Sequence, residues 1–103
     1  MLWNTKQEYI TPEKAQLLLA RNADHNRKLR PSKVTRYAED MKTGQWKATP
    51  EPIIFDWNGT LINGQHRLNA IVESGTSHMM FIVRDVDPEI YDKIDRGAQR
   101  SPS

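Results

Sequence analysis

The sequence predicts a small α/β (α+β) domain on a mixed sheet, and three observations carry that reading. Two proline-led segments, beginning at Thr11-Pro12-Glu13 and at Pro31, have helix-start chemistry followed by apolar residues at helical spacing. Two runs rich in β-formers, 53–56 and 78–86, read as buried strands. Between them an Asn-Gly turn leads into a strand that passes directly through Asn63-Gly64 into an amphipathic helix. The whole reads as one domain over 1–103 with about four strands and four helices, ending in a flexible basic tail from about residue 96.

Taken in order, Lys6 to Ile10 is a short first strand, and Thr11 is the N-cap of a helix from Pro12 to about Ala20. Ala15, Leu18 and Leu19 set its apolar side. Asn22 to Leu29 is polar and aperiodic, which predicts a surface loop. A second helix opens at Pro31, places Val34, Tyr37, Ala38 and Met41 on one face, and closes at Gly44. Ile53-Ile54-Phe55-Asp56 is a strand, Trp57-Asn58-Gly59 a hairpin whose Asn-Gly supplies positive backbone angles, and Thr60-Leu61-Ile62 the returning strand. The third helix buries Leu68, Ile71 and Val72 and ends at Gly75. His78 to Val86 is expected to be buried on both faces. Asp87-Pro88-Glu89 starts a short fourth helix with Ile90, Tyr91 and Ile94.

The strand-to-helix junction concentrates the chemistry. Unpaired amides and the positive dipole end of a helix start favour an anion, so Arg67 in that first turn points to a phosphate or carboxylate site. Gly64 permits close approach of a ligand to the backbone. His66 is the one catalytic candidate, as a phosphate donor or a proton carrier near neutral pH, with local helix capping as the alternative. Gln65 offers donor and acceptor atoms but no proton transfer. A plain glycine turn with a solvated arginine is the competing reading.

Composition removes several functions. There is no cysteine, so disulfides, thiol nucleophiles and thiolate metal sites are excluded. His25, His66 and His78 are scattered without ligand spacing, and no protein-held metal is expected. No serine-hydrolase, Walker or Rossmann pattern occurs. No stretch matches a signal peptide or a membrane span, so a cytoplasmic protein without a membrane partner is expected. The net charge of +2 is modest but uneven: Arg21, Arg27, Lys28, Arg30, Lys33 and Arg36 face the single acid Asp24 within 21–36. Asp85, Asp87, Glu89, Asp92 and Asp95 make the 85–95 segment acidic.

Gly64-Gln65-His66-Arg67-Leu68-Asn69-Ala70 resembles the G-x-x-R-x-x-A signature of the ParB/sulfiredoxin-like superfamily, in the form closest to the "DGQHR" of phage and mobile-element members, with Asn63 in place of Asp. Asn26-Arg27, Gly44-Gln45-Trp46, Pro52 to Asp56, Ile94 to Gly97 and Arg100-Ser101 fall in matching order. The resemblance implies a phosphate pocket at Asn63, Gly64, Gln65, His66 and Arg67, with Asn26, Arg27, Arg96 and Arg100 as its rim. It implies a CTP- or ATP-type nucleotide with Mg²⁺. Gln65 stands in place of sulfiredoxin's catalytic cysteine, which rules that activity out, and of the acid in ParB's G-E-R-R, which disfavours hydrolysis. ParB proteins carry a helix-turn-helix domain after this fold, so DNA reading by that route is not expected within these residues.

The leading expectation is therefore a nucleotide-binding, ParB-like domain of phage or mobile-element type linked to DNA transactions. If it is an enzyme, a nucleoside triphosphatase or a nuclease is the candidate. The alternatives are a DNA-binding or nuclease module, with Lys28, Arg30, Lys33 and Arg36 on the phosphate backbone, and a host-directed inhibitor anchored through Trp3 or Trp57. A homodimer is compatible with each.

Overall fold

The structure, a computed structural model, describes residues 3–22 and 28–89. It contains, in chain order, β1 (Asn4–Ile10), α1 (Pro12–Leu19), α2 (Pro31–Thr43), β2 (Ile53–Asp56), β3 (Leu61–Asn63), α3 (Gln65–Ser74) and β4 (His78–Val86). The expected α+β fold with a mixed sheet is present, with three helices, α1 to α3, among the described residues. The fourth predicted helix falls on residues that lie, from 90 onward, outside the described ones.

The four strands form one sheet in the order β1-β4-β2-β3. β4 runs antiparallel to β1 and parallel to β2, and β3 returns antiparallel to β2. Helix α3 makes the crossover from β3 to β4 and packs on both α1 and α2. Its Leu68, Ala70 and Ile71 meet Ile53, Leu61 and Ile82 of the sheet in a shared core that also takes in Ala15, Leu18, Val34, Ala38 and Met41. Fully burying each such Leu, Ile or Val contributes roughly 1.5–3 kcal/mol, so the position of α3 is fixed from three sides.

The helix ends follow local chemistry. Thr11 Oγ1 accepts from the Lys14 amide at 3.1 Å, with Pro12 at the first helical position. α1 ends at Leu19 with Ala20 as its C-cap. Gly44, at φ 79°, takes the left-handed conformation that closes α2, and Gly75, at φ 70°, does the same for α3.

Two local predictions are corrected. The hairpin is not a two-residue Asn-Gly turn, because Gly59 alone of the Trp57-Asn58-Gly59 loop has a positive φ, at 82°. The buried Asp56 sets this geometry instead: its Oδ1 accepts from the amides of Asn58 (2.8 Å) and Thr60 (3.0 Å), while its carbonyl accepts from Gly59 at 3.0 Å. The second correction concerns β4, which is not buried along both faces. Met80 and Ile82 join the main core, Val83 and Val86 form a smaller cluster with Ile62 and Ile54, and Met79 is 47% exposed beside Tyr9.

Val83 and Val86 share a cluster although they are three positions apart. Ile54 pairs with Val83 and Asp56 with Val86, so β4 spends one residue more than β2 over this interval. Such a bulge resets the alternation of faces. Asp85, at φ 64°, is the left-handed residue that makes it, and no other non-glycine among the described residues has a positive φ.

Candidate functional site around the Gly64 turn

β3 ends at Asn63, opposite Ile54, and the chain turns into α3 at Gly64, whose φ is 111°. A side chain here would be strained in the backbone and would also place its Cβ 2.8 Å from Ile53 Cγ1. Glycine therefore lets the start of α3 settle directly onto β2. The side chains of its first turn bond Asn22, just after α1, and Arg30, just before α2.

The three residues after Gly64 are held in place by different elements. Gln65 is buried, and its Oε1 accepts from Asn22 Nδ2 at 3.0 Å. Asn22 is itself brought there because Arg21 and Asn22 run alongside β3, the Arg21 carbonyl accepting from the Leu61 amide at 2.8 Å. His66 Nε2 accepts from the Arg30 amide at 2.9 Å, so this ring caps the start of α2, where Arg30 supplies no side-chain cap. The assignment puts the proton of a neutral ring on Nδ1.

Arg67 is 6% exposed and turns toward the approach to β2. Its Nη1 donates to the Glu51 carbonyl at 2.5 Å and its Nη2 to the Pro52 carbonyl at 3.0 Å. Burial pushes its pKa down from the ordinary guanidinium range, and the neighbouring Glu51 charge opposes that shift. These two bonds hold the Glu51-Pro52 step, whose carbonyls lie just ahead of β2. Sequence reasoning placed Arg67 at an anion and had no local signal for this clamp, whose carbonyls lie 15 and 16 positions away.

Of the rim residues, Asn26, Arg27, Arg96 and Arg100 lie outside the described residues. Lys28 and Arg30 are exposed on the approach to α2. Lys33 Nζ stands 5.6 Å, and Arg36 6.0 Å, from the Tyr37 ring centroid, so both are partly engaged by cation–π contact. Among the described residues no group of three or more His, Asp or Glu side chains could hold a metal ion. No described helix is long and apolar enough to cross a membrane.

These features define a class: an α+β domain with one glycine-opened strand-to-helix turn, its helix bridged to the α1–α2 segment and to the start of β2. The fold is that of a ParB-N domain. Over its full length this chain superposes on a solved Pnob8-like ParB-N domain, in a C2221 crystal form, with a TM-score of 0.53 and 18% sequence identity. It spans 42% of that protein's length. No family model and no curated protein sequence matches the chain.

Proposed function

We propose that this domain binds the phosphates of a nucleotide at the start of α3. The observation that carries the reading is Gly64: its left-handed backbone and its contact with Ile53 leave no room for a side chain, and it starts α3 without a side-chain cap, where a helix start favours an anion. The ParB-N-like fold supports it, as do Gln65 and His66 on the same turn. Asn63, Gly64, Gln65 and His66 supply the phosphate contacts, with Arg67 acting on the turn through its carbonyl clamp and Asn26, Arg27, Arg96 and Arg100 as the rim. Mg²⁺ enters with the nucleotide, on its phosphates. Gln65 provides no general base, so the proposal is binding without a committed hydrolytic step.

The test is calorimetric titration with CTP, ATP, GTP and ADP, with and without Mg²⁺. Binding of at least one triphosphate, weakened about tenfold or more in Arg27→Ala by loss of a charge-assisted bond, is the expected result. No heat with any of them refutes the proposal. A DNA role through Lys28, Arg30, Lys33 and Arg36 is the second reading, favoured by the exposed Lys28 and Arg30. It predicts binding that weakens steeply with added salt.

A further inference from the structure

The two edges of the sheet differ. At one, β3 is flanked by Arg21 and Asn22: the Leu61 amide donates to the Arg21 carbonyl at 2.8 Å, and Asn22 makes a parallel bridge to Leu61. At the other, β1 pairs with β4 without interruption from Asn4 to Ile10, and no described residue bridges to its outer side. β1 has neither a proline nor a bulge to discourage further pairing, so its outward backbone groups form an open template.

The side chains of this edge are sorted by face. Lys6 and Glu8 lie on the helix side, opposite Ile82 and Met80 of the core. Thr5, Gln7 and Tyr9 lie on the other side, opposite Val83, Phe81 and Met79, and none of these six carries a charge. Tyr9 is 60% exposed there, and Trp3, just ahead of the strand, is 56% exposed. Lys6 is exposed and has no hydrogen bond or ion pair among the described residues.

We infer that β1 pairs antiparallel with β1 of a second copy of this chain, about a twofold axis at Gln7, joining two four-stranded sheets into one. A twofold axis normal to the sheet keeps every residue on its own face, so a symmetric register must be centred on a single residue. Centring on Lys6 or on Glu8 sets two like charges directly opposite each other, which is destabilising. Centring on Thr5 or Tyr9 leaves part of the strand unpaired. Gln7 is the middle residue of Asn4–Ile10, and centring there pairs all seven positions. It sets Lys6 against the partner's Glu8 at two symmetric places, and Thr5 against the partner's Tyr9. Trp3 then lies diagonal to the partner's Tyr9, within reach of an aromatic pair. This palindromic order of charge suits a second copy and would have no use against an unrelated strand. The interface does not involve the Gly64 turn.

Sedimentation equilibrium of the full chain without nucleotide tests this. A concentration-dependent equilibrium between one and two chains is expected. Lys6→Glu sets like charges across both seam pairs and should weaken the dimer about tenfold or more in a chain whose circular dichroism is unchanged. The register is tested by cross-linking, because the chain has no cysteine of its own. Gln7→Cys should give a disulfide-linked dimer on mild oxidation, since the two thiols face each other across the axis. Thr5→Cys and Tyr9→Cys should each cross-link poorly alone and efficiently when mixed. A mass of one chain at every concentration leaves the edge to another protein's strand and overturns the inference. A dimer indifferent to Lys6→Glu, or Thr5→Cys cross-linking to itself as efficiently as Gln7→Cys, overturns it as well.

Discussion

Arg67 and Pro52 are joined by a 3.0 Å bond from the guanidinium Nη2 to the proline carbonyl, the second half of a fork whose first half reaches Glu51. The fork ties the first turn of α3 to the segment that feeds β2. Arg67→Ala strands two carbonyls and empties a buried volume, and should destabilise the domain by about 2–4 kcal/mol in urea unfolding. Arg67→Lys keeps the charge without the planar fork and should recover only part of that loss. A loss below about 0.5 kcal/mol for the alanine variant would mean that the fork contributes little to the fold.

Gly64 and Ile53 make a steric pair. Gly64→Ala combines a left-handed alanine with overpacking against Ile53 Cγ1 and should cost about 2–4 kcal/mol. Shortening the neighbour relieves the second part. In a double-mutant cycle Ile53→Ala should therefore show a favourable coupling with Gly64→Ala of about 0.5 kcal/mol or more, and strict additivity would remove the steric explanation.

Glu8 gives the fold an acid-dependent component. Its carboxyl is held down at about 2, chiefly by the hydrogen bonds from Arg84, with Lys14 adding a 3.0 Å bond against the opposing cost of burial. The folded pKa lies below the unfolded one, so this contribution is complete above about pH 4.5 and is lost as pH falls toward 2. Because Arg84 and Lys14 are partly exposed, the effect is screened to about 1–2 kcal/mol. Glu8→Gln should flatten the stability profile over that interval, measured by urea midpoints at stepped pH.

The His66 ring and the Arg30 amide link two helices at an exposed position. His66→Ala leaves the Arg30 amide to water, so global stability should fall by no more than about 1 kcal/mol. The sensitive readout is amide hydrogen exchange, expected to accelerate at Arg30 and to stay unchanged at Ile82 in the core. Equal exchange at Arg30 in both proteins would show that the ring does not protect it.

Much of the architecture was legible in the residues. Pro12, Pro31, Gly44 and Gly75 mark helix ends by backbone restrictions that tertiary contacts do not override, and the 53–56 and 78–86 strands appear at those bounds because buried β-branched runs have few other uses. The Gly64 turn was legible for the same reason. Less was visible wherever one residue serves a distant one. Arg67 reads as an anion ligand until the Glu51 and Pro52 carbonyls are seen beside it, and Asn22 carries no local sign that it will meet Gln65. The Asp85 bulge is a register event between two strands, which a single-strand pattern of alternation does not encode.

The pairing of β1 with β4 has a consequence for how the chain assembles. Glu8 and Arg84 meet across 76 positions, and β4 also supplies the neighbour that β2 needs. A growing chain can close the β2–β3 hairpin early, but the sheet stays half-built until β4 has been synthesised. High contact order of this kind slows folding and makes it cooperative. The N-terminal strand thus waits for nearly the whole of the described chain, and a ribosome-bound fragment ending before residue 78 has no native partner for β1.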